Sequence, residues 1–384
     1  MAMQKLESTR IGRIVNQIKG YEAYIPNKLY PEKLFLNMDL EIINLLSEAD
    51  RALGELKGVT ETVPNPDLFV AYYVRKEALL SSQIEGTQCS LDEVLQADEK
   101  TSEMKPVQEV VNYINAMNRG LEELKNIPMS LRLIHTIHKV LLDNVRGKHK
   151  YPGEYKRSQN WIGPSGCLLP EAIYVPPPPE LMLELMGDWE QYYHSNQNLP
   201  PLIKAAILHS HFETIHPYID GNGRLGRLLV TFSLCEKGVI DRPLLYLSLF
   251  FKENRTEYYK LLMDVRFKGE IEQWLKFFLR GVRSTSREAI QTANDIKNLM
   301  DIHLNLIKSK LSKYRLALPL YDLICEKPIL SIGDAAHQLK STYPTMKQLF
   351  QKLADYEILK AYDTNLRNKR FAYADYLDIL RRGT

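Results

Sequence analysis

The sequence His216-Pro-Tyr-Ile-Asp-Gly-Asn-Gly-Arg-Leu-Gly-Arg227 lies near the middle of the 384-residue chain. This short motif holds a titratable base, a carboxylate able to bind a metal ion, a glycine-rich loop and two arginines. A site for a polyphosphate needs these four kinds of group, and few other sites need all of them.

The second half of this motif predicts an anion site at the start of a helix. Gly221, Asn222 and Gly223 allow backbone conformations that direct successive N–H groups toward one point. Arg224 and Arg227 are three positions apart, so they share a face of the following helix and both can bind phosphate oxygens. The positive end of the helix dipole strengthens such a site.

The first half of the motif supplies the groups for chemistry. Asp220 can hold Mg²⁺, which prefers one or two carboxylates together with phosphate oxygens. His216, with an ordinary pKa of about 6.5, can accept a proton near neutral pH. The alternative interpretation is a solvated turn before a basic helix, but the whole combination is far more specific than a turn.

Apolar residues at helical spacing predict that most of the chain is helical. Two predicted helices, residues 200–214 and 226–237, flank the motif, and another pair follows at residues 257–266 and 270–278. A long helix without internal Gly or Pro, residues 284–311, is predicted to connect two domains. Further helices are predicted at residues 40–56, 67–84, 107–124, 131–142 and 179–193.

Turn residues and prolines interrupt the helices between residues 163 and 179. Within that stretch Ala172–Val175 is strand-like. These residues predict a small β-hairpin or an extended flap, and a proline-rich surface loop is an equally favoured interpretation.

The tail has a different organisation. Residues 332–339 and 344–356 predict two helices joined by a turn, and residues 359–373 predict a two-stranded wing with its tip at 365–369. Helix, turn, helix and hairpin are typical of a winged-helix domain. Its basic residues are diluted by Asp355, Glu357 and Asp363, so DNA and protein are equally favoured partners. The basic residues are Lys347, Lys352, Arg367, Lys369 and Arg370.

Composition sets the remaining limits. The net charge of +3 gives no general argument for nucleic-acid binding. The four cysteines lie far apart and predict neither a disulfide framework nor a zinc site. Residues 1–11 lack the apolar core of a signal peptide, and no run reaches the roughly 18 apolar residues of a membrane span. We therefore expect a cytoplasmic protein without a membrane partner.

The motif resembles the signature of the Fic family, His-Pro-Phe-x-Asp/Glu-Gly-Asn-Gly-Arg-x-x-Arg, and only Tyr218 departs from it. The segments Phe212–Ile215 and Gly153–Arg157 are also similar to the family, and the resemblance spans about residues 65–285. It implies a mainly α fold with a Fic-type helical core and a small β-hairpin flap, and the winged-helix domain predicted above from the pattern of the tail follows this core. The expected domains are an N-terminal helical region (1–125), a catalytic core (126–285), a connecting helix (286–311) and a winged-helix-like domain (312–384).

Fic proteins typically transfer AMP from ATP to a Tyr, Ser or Thr hydroxyl of a target protein. By motif position, the resemblance implies that His216 is the general base and that Asp220 binds Mg²⁺. It also implies that the flap, residues 162–175, pairs with an extended target segment. Tyr258 and Tyr259 resemble the stretch that lines the family's base pocket, although two tyrosines on a helix also suit a core. The implied nucleotide-binding residues of the motif are Gly221, Asn222, Gly223, Arg224, Leu225, Gly226 and Arg227.

A second motif, Ser81-Ser-Gln-Ile-Glu85-Gly86, resembles the family's inhibitory sequence Ser/Thr-x-x-x-Glu-Gly. A glutamate at a helix C-terminus is mildly unfavourable, so Glu85 is expected to have a partner elsewhere. The resemblance implies an inhibitory helix at about residues 67–86, on which Glu85 pairs with Arg227 and denies it to the γ-phosphate. The expected protein is therefore an autoinhibited adenylyltransferase that also modifies itself.

Two alternatives stay open. One is the same site with another phosphate donor, or with removal of AMP; Asp220 beside an intact Gly221 and Arg224 favours ATP. The other is a DNA-binding regulator whose Fic-like domain senses nucleotide without turnover, and His216 argues against it because binding alone needs no base. The sequence also leaves open whether the chain forms a homodimer.

Overall fold

The computed structural model describes residues 4–18, 20–30, 34–63, 65–96, 105–143, 150–164, 166–196, 198–362 and 369–383. It is mainly helical, which confirms the predicted fold class. The chain forms two compact units, one from residues 1–54 and 73–286 and the other from residues 55–72 and 287–384. The four-domain division given above remains a prediction.

The first unit begins with an antiparallel hairpin of β1 (Gly12–Asn16) and β2 (Glu22–Pro26). Gly12 is needed there, because a Cβ atom would lie 2.6 Å from the ring of Tyr24. The sequence analysis expected only helices in this region. It missed the hairpin because both strands are short and mix charged with apolar residues.

Helices form the rest of the first unit, and three of them, the first, second and eleventh, also contribute residues to the second unit. Along the described part of the chain, no helix is both long and apolar enough to cross a bilayer. The helices are α1 (Leu40–Thr60), α2 (Pro66–Ile84), α3 (Leu91–Gln96), α4 (Lys105–Glu123), α5 (Leu131–Leu141), α6 (Met182–His194), α7 (Pro201–Ile215), α8 (Asn222–Glu236), α9 (Leu247–Glu253), α10 (Arg255–Lys268) and α11 (Ile271–Lys310).

Two buried helices, α7 and α8, hold the predicted anion motif between them. Every residue of α7 from Ala205 to Ile215 is buried, and α8 is buried from Arg224 to Leu234. A helix that is buried on all sides belongs to the centre of a core. The loop between α7 and α8 is therefore held at both ends by the best-packed part of this unit.

The connecting helix is longer than predicted. Helix α11 runs without a break from Ile271 to Lys310, whereas the sequence analysis placed two helices here and began the connection at residue 286. The expected break falls at Gly281. This glycine is required by packing, since a Cβ atom would lie 2.8 Å from the ring of Phe250.

The flap contains less regular structure than expected. Instead of a strand over Ala172–Val175, it has one isolated antiparallel bridge, between Ile162 and Tyr174, and a short 3₁₀ turn at Leu169–Glu171. The N–H group of Tyr24 in β2 donates to the carbonyl of Val175 at 2.9 Å. The end of the flap is thus attached to the N-terminal hairpin.

The second unit contains a three-stranded antiparallel sheet with strand order β3-β5-β4. The sequence analysis missed the helix at Ala317–Glu326, the strand at Ile329–Ser331 and the helix at Ala374–Arg381. The predicted wing tip lies mostly outside the described residues, as do Asp363 and Arg367. The elements are α12 (Ala317–Glu326), β3 (Ile329–Ser331), α13 (Ile332–Gln338), α14 (Tyr343–Asp355), β4 (Lys360–Ala361), β5 (Arg370–Ala372) and α15 (Ala374–Arg381).

Candidate active site

The predicted anion loop is a sharp connection between α7 and α8. Helix α7 ends at Ile215, and the next residue, His216, has left-handed backbone angles (φ 48°, ψ 60°); Gly221 precedes α8 with φ 78°. The first backbone bond of α8 runs from the N–H group of Leu225 to the carbonyl of Gly221. The amides of the first turn have no partner within the helix, so they are donors for a bound anion.

The carboxylate of Glu85 lies over this first turn. A Cβ atom on Gly223 would collide with Oε1 of Glu85 and would lie 3.2 Å from Nη1 of Arg227. Nη2 of Arg227 donates to the same carboxylate oxygen at 2.8 Å. Glu85 therefore places a negative charge beside the glycine and the arginine that were predicted to bind phosphate.

Arg227 is held almost entirely by helix α2. Its side chain is only 2% exposed. Nε donates to Oγ of Ser81 at 2.8 Å, and Nη2 donates to the carbonyl of Ser81 at 2.9 Å. Burial alone would lower the pKa of this guanidinium, but the adjacent Glu85 carboxylate outweighs it and raises the pKa. Both predicted inhibitory residues, Ser81 and Glu85, thus contact Arg227.

Arg224 has the opposite environment. Its side chain is 7% exposed. Its Nε and Nη1 atoms have no hydrogen-bond partner among the residues that the structure describes. Nη2 lies 3.8 Å from Oδ1 of Asp220. A buried guanidinium with unpaired donors is costly, so the arrangement suits an anion that is brought in from outside.

Asp220 is an ionised carboxylate at the edge of the loop. Burial acts to raise its pKa, but the ammonium of Lys150 and the guanidinium of Arg224 hold the pKa below its usual value. Lys150 Nζ lies 2.5 Å from Oδ2, and the N–H group of Gly221 donates to Oδ1 at 2.6 Å. The carboxylate is about one third exposed.

Asp220 can supply one protein ligand for Mg²⁺. Within the described residues, no group of three His, Cys, Asp or Glu side chains could hold a metal ion. A single ionised carboxylate beside a phosphate site is nevertheless sufficient for Mg²⁺, which takes its remaining ligands from phosphate and water. Asp220 satisfies that description, but Lys150 would have to give up part of its contact with the carboxylate.

His216 is a neutral base in this environment. Burial, followed by the positive charges of Lys156 and Arg266, lowers its pKa to about 3, well below the ordinary value expected from the sequence. Its Nδ1 atom has no hydrogen-bond partner in the described part of the protein, and Oε2 of Glu213 is 3.9 Å away. The imidazole is therefore unprotonated at pH 7 and can accept a proton.

The two candidate tyrosines have different surroundings. Tyr258 is buried; its ring stacks on Phe251, and its hydroxyl lies 3.0 Å from Nε2 of His209. Tyr259 is 40% exposed, with the guanidinium of Arg255 5.5 Å from its ring centre. Both border the same cavity, but of the two only Tyr259 has an exposed ring on which a base could stack.

Leu225 and Gly226, also predicted to be nucleotide-binding, lie on the core side of α8. Leu225 is fully buried. The carbonyl of Gly226 is 3.1 Å from Nδ1 of His209, and a Cβ atom on Gly226 would lie 2.5 Å from Oε1 of Glu213. These two residues pack α8 against the core, and neither lines the cavity that contains His216.

Two cavities meet at Glu85. The larger, about 530 Å³, contains His216, Arg227 and Tyr259, and the flap residues Trp161, Ile162 and Gly163 form another wall. The smaller, about 390 Å³, contains Arg224 and Asp220. The two arginines therefore open onto different cavities, and the Glu85 carboxylate borders both.

Sequence reasoning missed several charged neighbours of the motif. Lys150 contacts Asp220, Lys156 contacts the backbone of His216, and Glu213 carries an unpaired buried carboxylate oxygen. Burial raises the pKa of Glu213 to about 7. Lys156 falls in the segment Gly153–Arg157 that resembled the family, but nothing in that segment shows that its lysine is buried.

Comparisons with known proteins agree with this geometry. Residues 43–122 match the model of the Fic/DOC family N-terminal region, and residues 128–234 match the model of the Fic/DOC family itself. The chain belongs to the Fic/DOC family. The second match, which ends at residue 234, includes the whole motif, all of α7 and most of α8.

Individual relatives are similar to only part of this chain. A probable protein adenylyltransferase of Aquifex aeolicus is 28% identical over 179 residues, which cover 45% of this chain and 51% of the relative. Protein adenylyltransferase Fic of Drosophila grimshawi is 30% identical over 172 residues, covering 44% of this chain and 30% of the relative. The chain thus matches about half of the bacterial relative and under a third of the fly protein.

One solved structure shares the fold over nearly its whole length. It is a Fic family protein from Desulfovibrio desulfuricans G20, with a TM-score of 0.59 and 22% sequence identity. The match covers 88% of this chain and 97% of that one. At this identity the likeness establishes the Fic-type fold.

Proposed function

We propose that this Fic protein is an autoinhibited adenylyltransferase, which transfers AMP from ATP to a Tyr, Ser or Thr hydroxyl of a target protein and of itself. One observation carries the proposal: the Glu85 carboxylate lies against Gly223 and Arg227, where the motif would bind phosphate. The adenylyltransferase names of the relatives support the reaction class.

The nucleotide would enter the larger cavity. The ring of Tyr259 is available to stack on the base, since it is partly exposed and lies in the same cavity as His216. The amides of Asn222 and Gly223 would then face the phosphates, and the amide of Gly221 would join them only by leaving Oδ1 of Asp220. Arg224, which is buried with unpaired nitrogens, would gain the anion that it lacks.

His216 would act as the general base. Its neutral imidazole takes the proton of the target hydroxyl while the hydroxyl oxygen forms a bond to the α-phosphorus. The bond from that phosphorus to the bridging oxygen breaks, and pyrophosphate leaves with the electron pair. The nearby negative phosphates oppose the effect of Lys156 and Arg266 and raise the pKa of His216 toward a useful range.

Asp220 would hold Mg²⁺, which neutralises part of the triphosphate charge when it is bound. The protein's own contribution is mainly position and charge. Arg224 and Arg227 stabilise negative charge on the leaving group, and the packing of α7 and α8 keeps the donors in place before the nucleotide arrives.

Glu85 would inhibit by occupying Arg227. While the carboxylate stays 2.8 Å from Nη2, that nitrogen cannot bind the γ-phosphate, and the same negative charge lies beside Gly223. ATP would then bind weakly or in an unproductive position. The inhibitory residue lies in the same chain, so no partner protein is needed for inhibition.

We also infer that the C-terminal residues form a winged-helix module. Its support is the order of α12, β3, α13 and α14 followed by the antiparallel pair β4 and β5. The exposed Lys347 on α14 suits DNA, and the neighbouring acidic residues suit a protein. A gel-shift with salt titration separates the two partners. A homodimer and a cytoplasmic location stay predictions from the sequence.

The deciding experiment supplies α-labelled ATP and Mg²⁺ and measures label and intact mass. We expect Glu85→Gly to gain AMP, and Glu85→Gly with His216→Ala to lose about 10²- to 10⁴-fold in rate while still binding nucleotide. His337→Ala in the same background is the matched control, because this histidine is exposed and lies in α13. Full AMP transfer without His216 would rule out this residue as the general base, and no AMP transfer from Glu85→Gly would favour nucleotide sensing or another reaction as the function.

A further inference from the structure

We infer that Lys156 is a positioning residue for the candidate general base: together with Asn160, it fixes the backbone of His216 and presents a neutral imidazole to the cavity. The inference rests on the proposed function, because it assigns a partner to the proposed base. Lys156 and Asn160 are called the carbonyl clamp below.

His216 needs such support because of its backbone. Its φ of 48° and ψ of 60° lie in the left-handed region, which residues other than glycine rarely adopt. A strained conformation of this kind persists only where the surroundings hold it, and such positions cluster at active sites. The direction of the imidazole depends on this turn, since the side chain leaves the chain at the end of α7.

The lysine of the clamp holds three consecutive carbonyl groups. Its Nζ donates to the carbonyl of His216 at 3.1 Å and lies 3.5 Å from the carbonyl of Ile215. Its backbone N–H group donates to the carbonyl of Pro217 at 2.9 Å. Lys156 therefore contacts the backbone carbonyl groups before, at and after the proposed base.

The asparagine extends the same contact. Nδ2 of Asn160 donates to the carbonyl of His216 at 3.2 Å and to that of Tyr218 at 2.8 Å. Its Oδ1 accepts from Nζ of Lys156 at 2.8 Å, so the two side chains hold each other. On the other side, Asn222 bonds both the N–H group and the carbonyl of Tyr218. The loop is thus fixed from both faces.

The charge of Lys156 distinguishes it from a merely structural residue. Its side chain is buried, and its acceptors within the described residues are carbonyl and amide oxygens rather than a carboxylate. A buried ammonium without a counter-ion is costly, and burial lowers its pKa to about 7. A methionine would fill the space without that cost.

The position of the ammonium gives it a role at His216. It repels an imidazolium, as Arg266 does from α10, whereas Asp220 and the backbone of Glu213 act in the opposite sense. Glu213 itself is a buried carboxyl close to the ring. The lysine therefore favours the unprotonated form of His216 that can accept a proton.

The test compares Lys156→Met and Lys156→Arg in the Glu85→Gly background. We expect Lys156→Met to lower kcat for AMP transfer by about 10- to 100-fold with little change in KM for ATP, as expected for a misplaced reacting group. Lys156→Arg should keep most of the activity because it keeps the charge and the donors. Lys204→Met is the matched control, since Lys204 also donates to a carbonyl, that of Ser195 at 2.7 Å, and its pKa is also lowered by burial.

A second measurement does not depend on turnover. The side-chain NMR signals of His216, assigned by their loss in His216→Ala, should shift in Lys156→Met, and the pKa of His216 should rise because a like charge is removed. Neither change is expected in Lys204→Met. Unchanged His216 signals, or an equal fall in kcat and nucleotide affinity, would overturn the inference. Absence of AMP transfer from Glu85→Gly, with shifted His216 signals, would support the clamp and overturn only the proposed function.

Discussion

Replacing Glu85 by glutamine or glycine tests the ion pair that the proposed inhibition requires. Glutamine keeps the size of the side chain and an acceptor for Arg227 but removes the charge. Glycine also removes the side chain from the space over Gly223. We expect nucleotide affinity and the rate of AMP incorporation to rise in the order wild type, Glu85→Gln and Glu85→Gly.

The size of the effect follows from the burial of the two partners. A hydrogen bond between charged groups contributes about 1.5–3 kcal/mol. Arg227 is 2% exposed but Glu85 is 37% exposed, so solvent weakens the pair and the lower part of this range applies. About 1.5–2 kcal/mol corresponds to a gain in affinity of about 10- to 30-fold for Glu85→Gly. Ser81 still holds two nitrogens of Arg227, so the fold should survive.

Calorimetry with a non-hydrolysable ATP analogue and Mg²⁺ measures the affinity, and labelled ATP measures the rate. Glu109→Gln is the matched control, because Glu109 borders the smaller cavity and contacts Thr87 instead of Arg227. Equal affinity in wild type and Glu85→Gly would refute the reasoning. So would a gain in Glu109→Gln as large as that in Glu85→Gly.

Other outcomes can be stated from the same geometry. Lowering the pH from 7 to 5 should destabilise the protein, because four buried histidines have pKa values of about 3 to 4, so the unfolded chain binds more protons than the folded one. Two buried carboxyls, with pKa values raised to about 7, act in the opposite sense. Each proton that the unfolded chain still binds in excess lowers the free energy of unfolding by about 1.4 kcal/mol per pH unit, which urea unfolding measures. These groups are His138, His209, His211 and His216, and Glu77 and Glu213. Asp220→Asn should abolish Mn²⁺ binding in electron paramagnetic resonance titrations, whereas Lys150→Met should strengthen it because a competing cation is removed; weaker binding in Lys150→Met would contradict this. Tyr259→Ala should raise KM for ATP by about 2- to 10-fold through lost stacking, with Tyr258→Phe as the comparison that leaves KM nearly unchanged.

Local patterns made much of this fold predictable. Apolar spacing predicted that most of the chain is helical, and the resemblance of residues 216–227 to the Fic signature implied the Fic-type helical core. The same reasoning predicted a partner for Glu85 from its place at a helix end. Its carboxylate lies 2.8 Å from Arg227, which is 142 positions away. The inhibitory role of that contact stays a proposal.

Features that depend on tertiary contacts could not be predicted from local sequence patterns. Gly281 looks like a helix breaker, but it is a point of close approach to Phe250. Lys156 looks like an ordinary surface lysine, and only its burial under His216 reveals three carbonyl partners. The pKa of His216 likewise depends on cations from distant segments, so its ordinary value was the wrong expectation.

The arrangement of the two cavities limits how inhibition can be relieved. Arg227 opens onto the larger cavity and Arg224 onto the smaller, and the Glu85 carboxylate borders both. A triphosphate that reaches both arginines must pass the position of this carboxylate. Glu85 directly follows the last residue of α2, and Gly86, with φ 94°, comes next. Because Ser81 lies one turn before Glu85 and holds Arg227 separately, a movement confined to the residues after Ser81 would displace Glu85 and leave the arginine in place. In the proposed mechanism, a small change at the end of α2 is therefore sufficient for activation, and removal of the whole helix would be harmful.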